Sequence, residues 1–362
     1  MTSRSTRWLP LCAALLATAC AVQDPGQAAA PAPSETVVAL VGTVSGSAGA
    51  LTFHQQPLRT GSALVTAKGR PSAPAKIRPG SVIRGSATKG GRGYELLSAE
   101  VHHELEGGIE RVDLAASRLV VMGQVVWVGA GTGIGEEGPE GTSRSLQLAD
   151  LQVGDRVEVD GFLAVDGTLQ ATRIEQVPTA PDPEGTFHGV IDALHPATRT
   201  ARVGGRLVAF GTAQVLGHLA QGARVEVQGR PAGQTLRATW VKVESGLEDL
   251  AGTTLEICGP ISGFDPLAKT FLLMSYRVDY SQARVEGTLA NGTRVLAQAP
   301  LVGAGAPPGG FTRVRVAPRI EGPVLSARAA PWCRHPWARE GSPAASAEGF
   351  RAGAGPAAGR RC

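Results

Sequence analysis

One short pattern of residues is written four times along this chain, and that repetition constrains the fold more than any other feature. Each copy opens on a Gly inside a β-type run: Val41-Gly42-Thr43-Val44, Glu106-Gly107-Gly108-Ile109, His188-Gly189-Val190-Ile191 and Cys258-Gly259-Pro260-Ile261. Each continues with a second Gly that leads into apolar alternation: Gly80-Ser81-Val82, Gly154-Asp155-Arg156-Val157-Glu158-Val159, Gly222-Ala223-Arg224-Val225-Glu226-Val227 and Gly292-Thr293-Arg294-Val295. Three copies close on a further strand, marked by Leu96, by Leu169 with Ala171, and by Leu236 with Ala238. A period of roughly seventy residues marks a tandem array of small units rather than one large domain.

Alternation in these runs places Val157 and Val159, and likewise Val225 and Val227, on one face and the charged residues on the other, the pattern of a half-buried strand. Asp166-Gly167 and Asn291-Gly292 are hairpin-turn dipeptides. No stretch sustains apolar residues at helical spacing, so the chain is expected to be all-β. Its 48 Gly and 25 Pro supply turns while staying below the level of disordered low-complexity sequence, and 43% hydrophobic residues supply cores. A flat sheet of five or six short strands buries little, whereas a closed barrel has an interior and no edges. The expected architecture is therefore a tandem array of four small β-barrels of the oligonucleotide-fold type, each with its own core, over residues 36–104, 105–178, 184–245 and 252–317. The second copy is longer, and its Gly-rich extra residues, 129–145, read as a mobile insertion between strands.

The order of these elements resembles the bacterial envelope family called domain of unknown function 5666. The resemblance rests on the Gly-x-Ile/Val opening, an Asp-x-x-x-x-Thr hairpin, Val278-Asp279-Tyr280-Ser281, the Gly-x-x-Val-x-Val strand and the closing Leu-x-Ala-x-x-Ile/Val strand, and it covers residues 36 to about 322. The first copy departs in its hairpin, with Ser45-Gly46-Ser47 where Asp leads elsewhere. The resemblance implies an envelope protein with tandem repeats and brings no established activity with it.

The N-terminus adds an address. Arg4 and Arg7 precede the apolar run from Trp8 to Leu16, and small residues Ala17-Thr18-Ala19 precede Cys20. This is the layout of a signal peptide over residues 1–19, too short to span a bilayer. Leu16 through Cys20 also looks like a lipoprotein box, which makes Cys20 the expected lipidation site, with a soluble secreted form as the alternative. Two or more acyl chains give lasting attachment. Ala21, rather than Asp, follows the Cys and favours the outer membrane. Residues 20–35 then form a flexible Ala/Pro/Gln-rich tether. At the other end, Ile320-Glu321-Gly322-Pro323 repeats the opening Ile257-Cys258-Gly259-Pro260, so 318–326 reads as an orphan strand of a truncated fifth copy. Residues 327–362, rich in Arg, Ala, Gly and Pro, read as a disordered basic tail.

Charge narrows the function. From residue 311 onward stand nine Arg, no Lys and three Glu, about +6, against +4 for the whole chain, so the repeats themselves are close to neutral. Aromatic residues are 4%. Single-strand binding needs a basic groove with stacking platforms, so nucleic acid is not an expected partner. His102-His103-Glu104 is where potential metal ligands crowd. Strand alternation lets only His102 and Glu104 cooperate, short of the three or four ligands of a transition-metal site. They read as solvated strand-end residues, and His188, His195 and His218 as isolated ones. Ser86-Ala87-Thr88-Lys89 matches a Ser-x-x-Lys string without its partner motifs, inside an expected hairpin loop. Trp127 and Trp240 read as core plugs. No cofactor, metal or catalytic residue is assigned. The expected role is structural or protein-interacting, not enzymatic, with envelope protein or glycan as partner and glycan binding on a barrel face as the alternative.

Overall fold

The structure is a computed structural model that describes residues 35–138, 142–178, 184–233, 235–244, 252–274, 276–301 and 311–316. All lie in the first of the chain's two compact units, Met1–Ala317. The signal peptide, Cys20, the tether, the 318–326 strand and the basic tail fall outside the described residues.

Among the described residues the chain is all-β, with short 3-10 turns and no α-helix, and no helix is long and apolar enough to cross a membrane. The first copy holds β1 (Thr36–Thr43), β2 (Ser45–Ser47), β3 (Ala50–Phe53), β4 (Gln56–Arg59), β5 (Leu64–Ala67), β6 (Arg70–Ser72), β7 (Val82–Gly90) and β8 (Gly93–Val101). The second holds β9 (Leu105–Asp113), β10 (Arg118–Val121), β11 (Gln124–Glu137), β12 (Ser143–Ser145), β13 (Arg156–Leu163) and β14 (Leu169–Val177). In the third are β15 (Gly185–His195), β16 (Thr200–Val203), β17 (Arg206–Ala209), β18 (Gln214–Leu216), β19 (Arg224–Ala232) and β20 (Thr235–Val243). The fourth has β21 (Thr254–Asp265), β22 (Thr270–Leu273), β23 (Tyr276–Asp279), β24 (Arg284–Glu286), β25 (Arg294–Pro300) and β26 (Arg313–Val316).

The second copy closes as β9-β10-β11-β14-β13 and back to β9, with β11 parallel to β14. The third closes identically as β15-β16-β17-β20-β19, with β17 parallel to β20. This is the five-stranded oligonucleotide-fold barrel. In the first copy the ring β1-β7-β8-β4-β3-β2 closes through the chain itself, since β1 and β2 are one strand interrupted at Val44. The fourth copy is a half-barrel over the described residues, where β23 pairs with β22 alone.

One glycine position explains part of the repeat. A Cβ on Gly85, Gly161 or Gly229 would lie 2.0, 2.3 or 2.2 Å from the carbonyl oxygen of Ser98, Gln170 or Arg237 on the facing strand; the register slips directly before Gly161 and Gly229, and just past Ser86 in the first copy. The missing side chain lets a β-bulge bend the strand around the barrel.

The copies are not separate beads. β1 pairs in parallel with β21, Val38 opposite Thr254 through Gly42 opposite Cys258, so copies one and four share one sheet. β9 pairs antiparallel with β15, joining copies two and three in another. The expectation of four separate cores is corrected accordingly. One core runs through copies two and three, from Leu105 and Leu169 to Phe187 and Val227. A second core, around Phe53, Tyr94 and Leu96 of copy one, takes in Cys258 and Leu296 of copy four, and a third, around Ile257, Phe271 and Val295 of copy four, takes in Ala39, Val41 and Val82 of copy one. Sheet continuity is the physical cause, since a seam strand such as β9 carries backbone bonds and core side chains into both neighbours.

Candidate functional site

The connection between β8 and β9 is extended. His102 N donates to Val82 O and Glu104 N to Val159 O, each at 2.9 Å, while Glu104 O accepts from His188 N at 3.0 Å. Extended geometry sends His102 and Glu104 to one side and His103 to the other, as the alternation implies. The expected solvation does not hold. His102 and Glu104 are 5% and 2% exposed, because copies one, two and three meet around this segment.

On the first side, Arg224 Nη2 donates to Glu104 Oε2 at 2.7 Å and to His102 Nε2 at 2.9 Å, and its Nε donates to Glu244 Oε2 at 3.0 Å. Arg84 also binds Glu244 Oε2, and His188 Nδ1 lies 2.6 Å from Glu244 Oε1. The two imidazoles stand edge to face, 4.5 Å between centroids. Burial holds His102 down at about 3, so it is neutral, and Nε2 must present its lone pair to Arg224. Arg224 holds Glu104 at about 2 against burial and drives Glu244 below its ordinary range.

His102, His188 and Glu244 place ligand atoms within 4.8 Å of one another, a spacing that suits a metal ion. Yet the Arg224 guanidinium already occupies the cation position, donating to His102, Glu104 and Glu244 together. Two guanidinium groups against two carboxylates close to neutral, and an added divalent ion would leave a buried double positive charge. The arrangement is an ionic lock that joins copy one to copy three.

On the opposite side, His103 Nδ1 lies 2.5 Å from Asp160 Oδ1 and Nε2 lies 3.3 Å from Glu158 Oε2. Lys68 bridges Glu158 at 2.5 Å and Glu106 at 2.8 Å, and Arg156 binds Glu106 at 2.9 Å. The Asp160 and Glu158 carboxylates overcome burial and lift His103 to about 9. Burial pushes Asp160 upward while His103 opposes it.

The remaining sequence candidates separate. His195 and His218 are exposed and outside both clusters. Ser86 and Lys89 lie on strand β7, not in a loop; Ser86 Oγ meets Ser98 Oγ at 2.9 Å and Lys89 Nζ binds Glu256 at 2.5 Å. Residues 129–137 belong to β11 rather than to a mobile insertion. Thr132 Oγ1 accepts from Gly129 N at 2.9 Å and donates to Ala171 O at 2.7 Å, pinning a bulge. Glu136 and Glu137 there pair with Arg144 and Lys76. Trp127 is 40% exposed on the outer face of β11, between buried Val126 and Val128, and is no core plug; Trp240 is half-buried.

Arg84, Arg224 and Glu244, the partners not singled out from the sequence, lie far from residues 102–104 along the chain. A signal was present in the repeat itself, since Arg156, Arg224 and Arg294 occupy the same place before the first Val in three copies. The first two cap the locks, and Arg294 Nη2 reaches Ser45 Oγ at 3.4 Å.

A wide cleft of about 1680 Å³ opens beside the first lock. Arg84, Arg224 and Glu244 line it together with Val165 of copy two, Arg206 of copy three and Tyr276 of copy four.

Fold and locks together define an array of small β-barrels welded by buried charge. The model of a family described as a domain of unknown function, DUF5666, matches residues 106–175 and 188–242. These stretches are the two five-stranded closed barrels, each similar to that domain, over a narrower span than the 36–322 that the motifs cover. The curated proteins contain no match to the chain.

Proposed function

We propose that this chain is a non-catalytic cell-envelope protein, anchored in the outer membrane through lipid on Cys20, whose welded barrels form a rigid interaction scaffold. The observation that carries the reading is the ionic lock on Arg224. Its groups are spent on one another between copies one and three, which fixes those barrels' relative positions and serves a scaffold. The anchor rests on the Arg4-to-Cys20 sequence. Expression in a Gram-negative host with labelled palmitate, beside Cys20→Ser, tests the anchor; equal labelling of both forms refutes it. In-cell crosslinking of the full chain tests the scaffold, with a defined envelope protein expected among the products. Crosslinks at random density across unrelated envelope proteins would refute it.

The cleft favours a second reading, a binding module for a glycan. It is far larger than a small-molecule pocket of about 300–1,000 Å³ and suits an oligomeric ligand.

A further inference from the structure

We propose that the cleft among copies two, three and four binds an acidic oligosaccharide through Arg202, Arg206 and Arg277. This deepens the glycan reading above by naming the charge of the ligand.

The electrostatics of the cleft come first. Five arginines line it, Arg84, Arg202, Arg206, Arg224 and Arg277, against the carboxylates Asp166, Asp192 and Glu244. Only Glu244 is neutralised by the lock; Asp166 and Asp192 keep their charge, so outside the lock three arginines face two carboxylates and the cleft is net positive. Glu244 is held by Arg84, Arg224 and His188. Asp192 Oδ2 accepts from Gly205 N at 2.7 Å, and Asp166 Oδ1 from Thr168 N at 2.9 Å. Arg84 and Arg224 are neutralised inside the lock. Arg202, Arg206 and Arg277 are not: Arg202 Nη1 donates to Gly205 O at 2.8 Å, Arg277 Nη2 reaches Thr270 Oγ1 at 3.4 Å, and among the described residues none of the three meets a carboxylate at ion-pair distance. A cleft with low-dielectric walls concentrates such a field.

Arg206 is the most telling of the three. Its guanidinium stands 5.9 Å from the Phe187 ring centroid, its Nη2 lies against Gly123, and its Nη1 is buried with no hydrogen-bond partner. Burial lowers its pKa from the ordinary Arg value, opposed only by Glu110. An unpaired guanidinium at the edge of a cavity is costly, and an arriving carboxylate or sulfate supplies the missing counter-charge. Arg's planar fork suits such oxyanions.

The rest of the lining selects sugar over nucleic acid. Among the described lining residues the rings are Tyr276 and the His218 imidazole, too few to give successive bases a stacking platform, while Leu163, Val165, Leu207 and Leu272 offer apolar walls to the faces of sugar rings.

Calorimetric titration of the full chain with a galacturonate hexamer tests the proposal, beside a glucose hexamer and a single-stranded DNA of equal charge. Saturable binding of the uronate is expected, weakening as NaCl rises, with the glucose hexamer and the DNA at least about tenfold weaker. Arg277→Gln, on an exposed side chain that leaves the cores untouched, should weaken uronate binding about threefold to tenfold, and Arg206→Gln more. Arg118→Gln, exposed and outside the lining, should leave it unchanged, and unfolding midpoints of each variant report whether the fold survives. Absent uronate binding, unaltered binding by a folded Arg277→Gln, or equal binding of DNA overturns the proposal. The palmitate and crosslinking results are independent of all three outcomes.

Discussion

His102 and His103 are neighbours in sequence, both largely removed from water, and yet their surroundings drive them in opposite directions, to about 3 and about 9. On the His102 side burial dominates, so the imidazole remains neutral and serves as an acceptor for Arg224. On the His103 side two carboxylates come first, so the imidazole serves as a donor and becomes a cation. The residue type dictates neither outcome. What decides is which of the copies' strand-end charges the fold brings against each face of one extended tripeptide, Arg224 from β19 on one and Asp160 with Glu158 from β13 on the other.

The largest effect that would break this contrast is removal of its shared cation. Arg224→Met leaves Glu104 and Glu244 buried with diminished compensation and should cost about 3–5 kcal/mol in urea unfolding. A loss below about 1 kcal/mol would mean the lock is wet and the contrast electrostatically trivial.

Next come the pH limbs, which carry opposite signs. His103, raised in the folded state, stabilises fully below about 6.5, its ordinary value, and that contribution is lost as pH rises toward about 9. His102, depressed in the folded state, stabilises fully above about 6.5, and its contribution is lost as pH falls toward about 3. Each limb should slope by up to about 1.4 kcal/mol per pH unit. His103→Gln should flatten the alkaline limb and spare the acid one, with denaturant midpoints read from pH 5 to 9. His102→Gln should lift part of the acid limb, the remainder belonging to Glu104, whose contribution is present above about 4.5 and lost toward about 2. Loss of the same limb in both variants would show that the two histidines share one environment.

The smallest effect should be at Lys68. Its side chain is 47% exposed although it joins Glu106 and Glu158, so solvent screens it, and Lys68→Met should cost below about 1 kcal/mol. A larger loss would make the His103 side as tightly closed as the His102 side.

How far the sequence foretells this is visible on two equivalent strands. Alternation places Val157, Val159, Val225 and Val227 inside, and all four are fully buried. Barrel class, the hairpin turns and the opposed faces of residues 102–104 are equally legible, because they follow from local period. The polar faces are not. Glu226 and Gln228 on β19 remain partly or fully exposed, whereas Glu158 and Asp160 on β13 are 5% and 2% exposed, covered by Lys68, His103 and the β7 backbone. Identical grammar in the two copies therefore hides different neighbours, and only the pairing of copies assigns them. The Gly-rich 129–137 misleads for a related reason: low side-chain content reads as a loop, while parallel pairing with β14 makes it a strand.

That nested pairing also sets an order of assembly. Copies two and three are adjacent in the chain, and their seam of β9 with β15 is available once residue 187 has been made. β1 must wait for β21, since Val38 meets Thr254 and Gly42 meets Cys258. Chains fold as they emerge, first units first, and contacts so distant in sequence form slowly. Throughout synthesis of the middle of the protein, β1 is an open template with a free row of amides and carbonyls. The first strand made is thus among the last to be satisfied, and a nascent chain stalled before Cys258 has its aggregation hazard at the end that left the ribosome earliest.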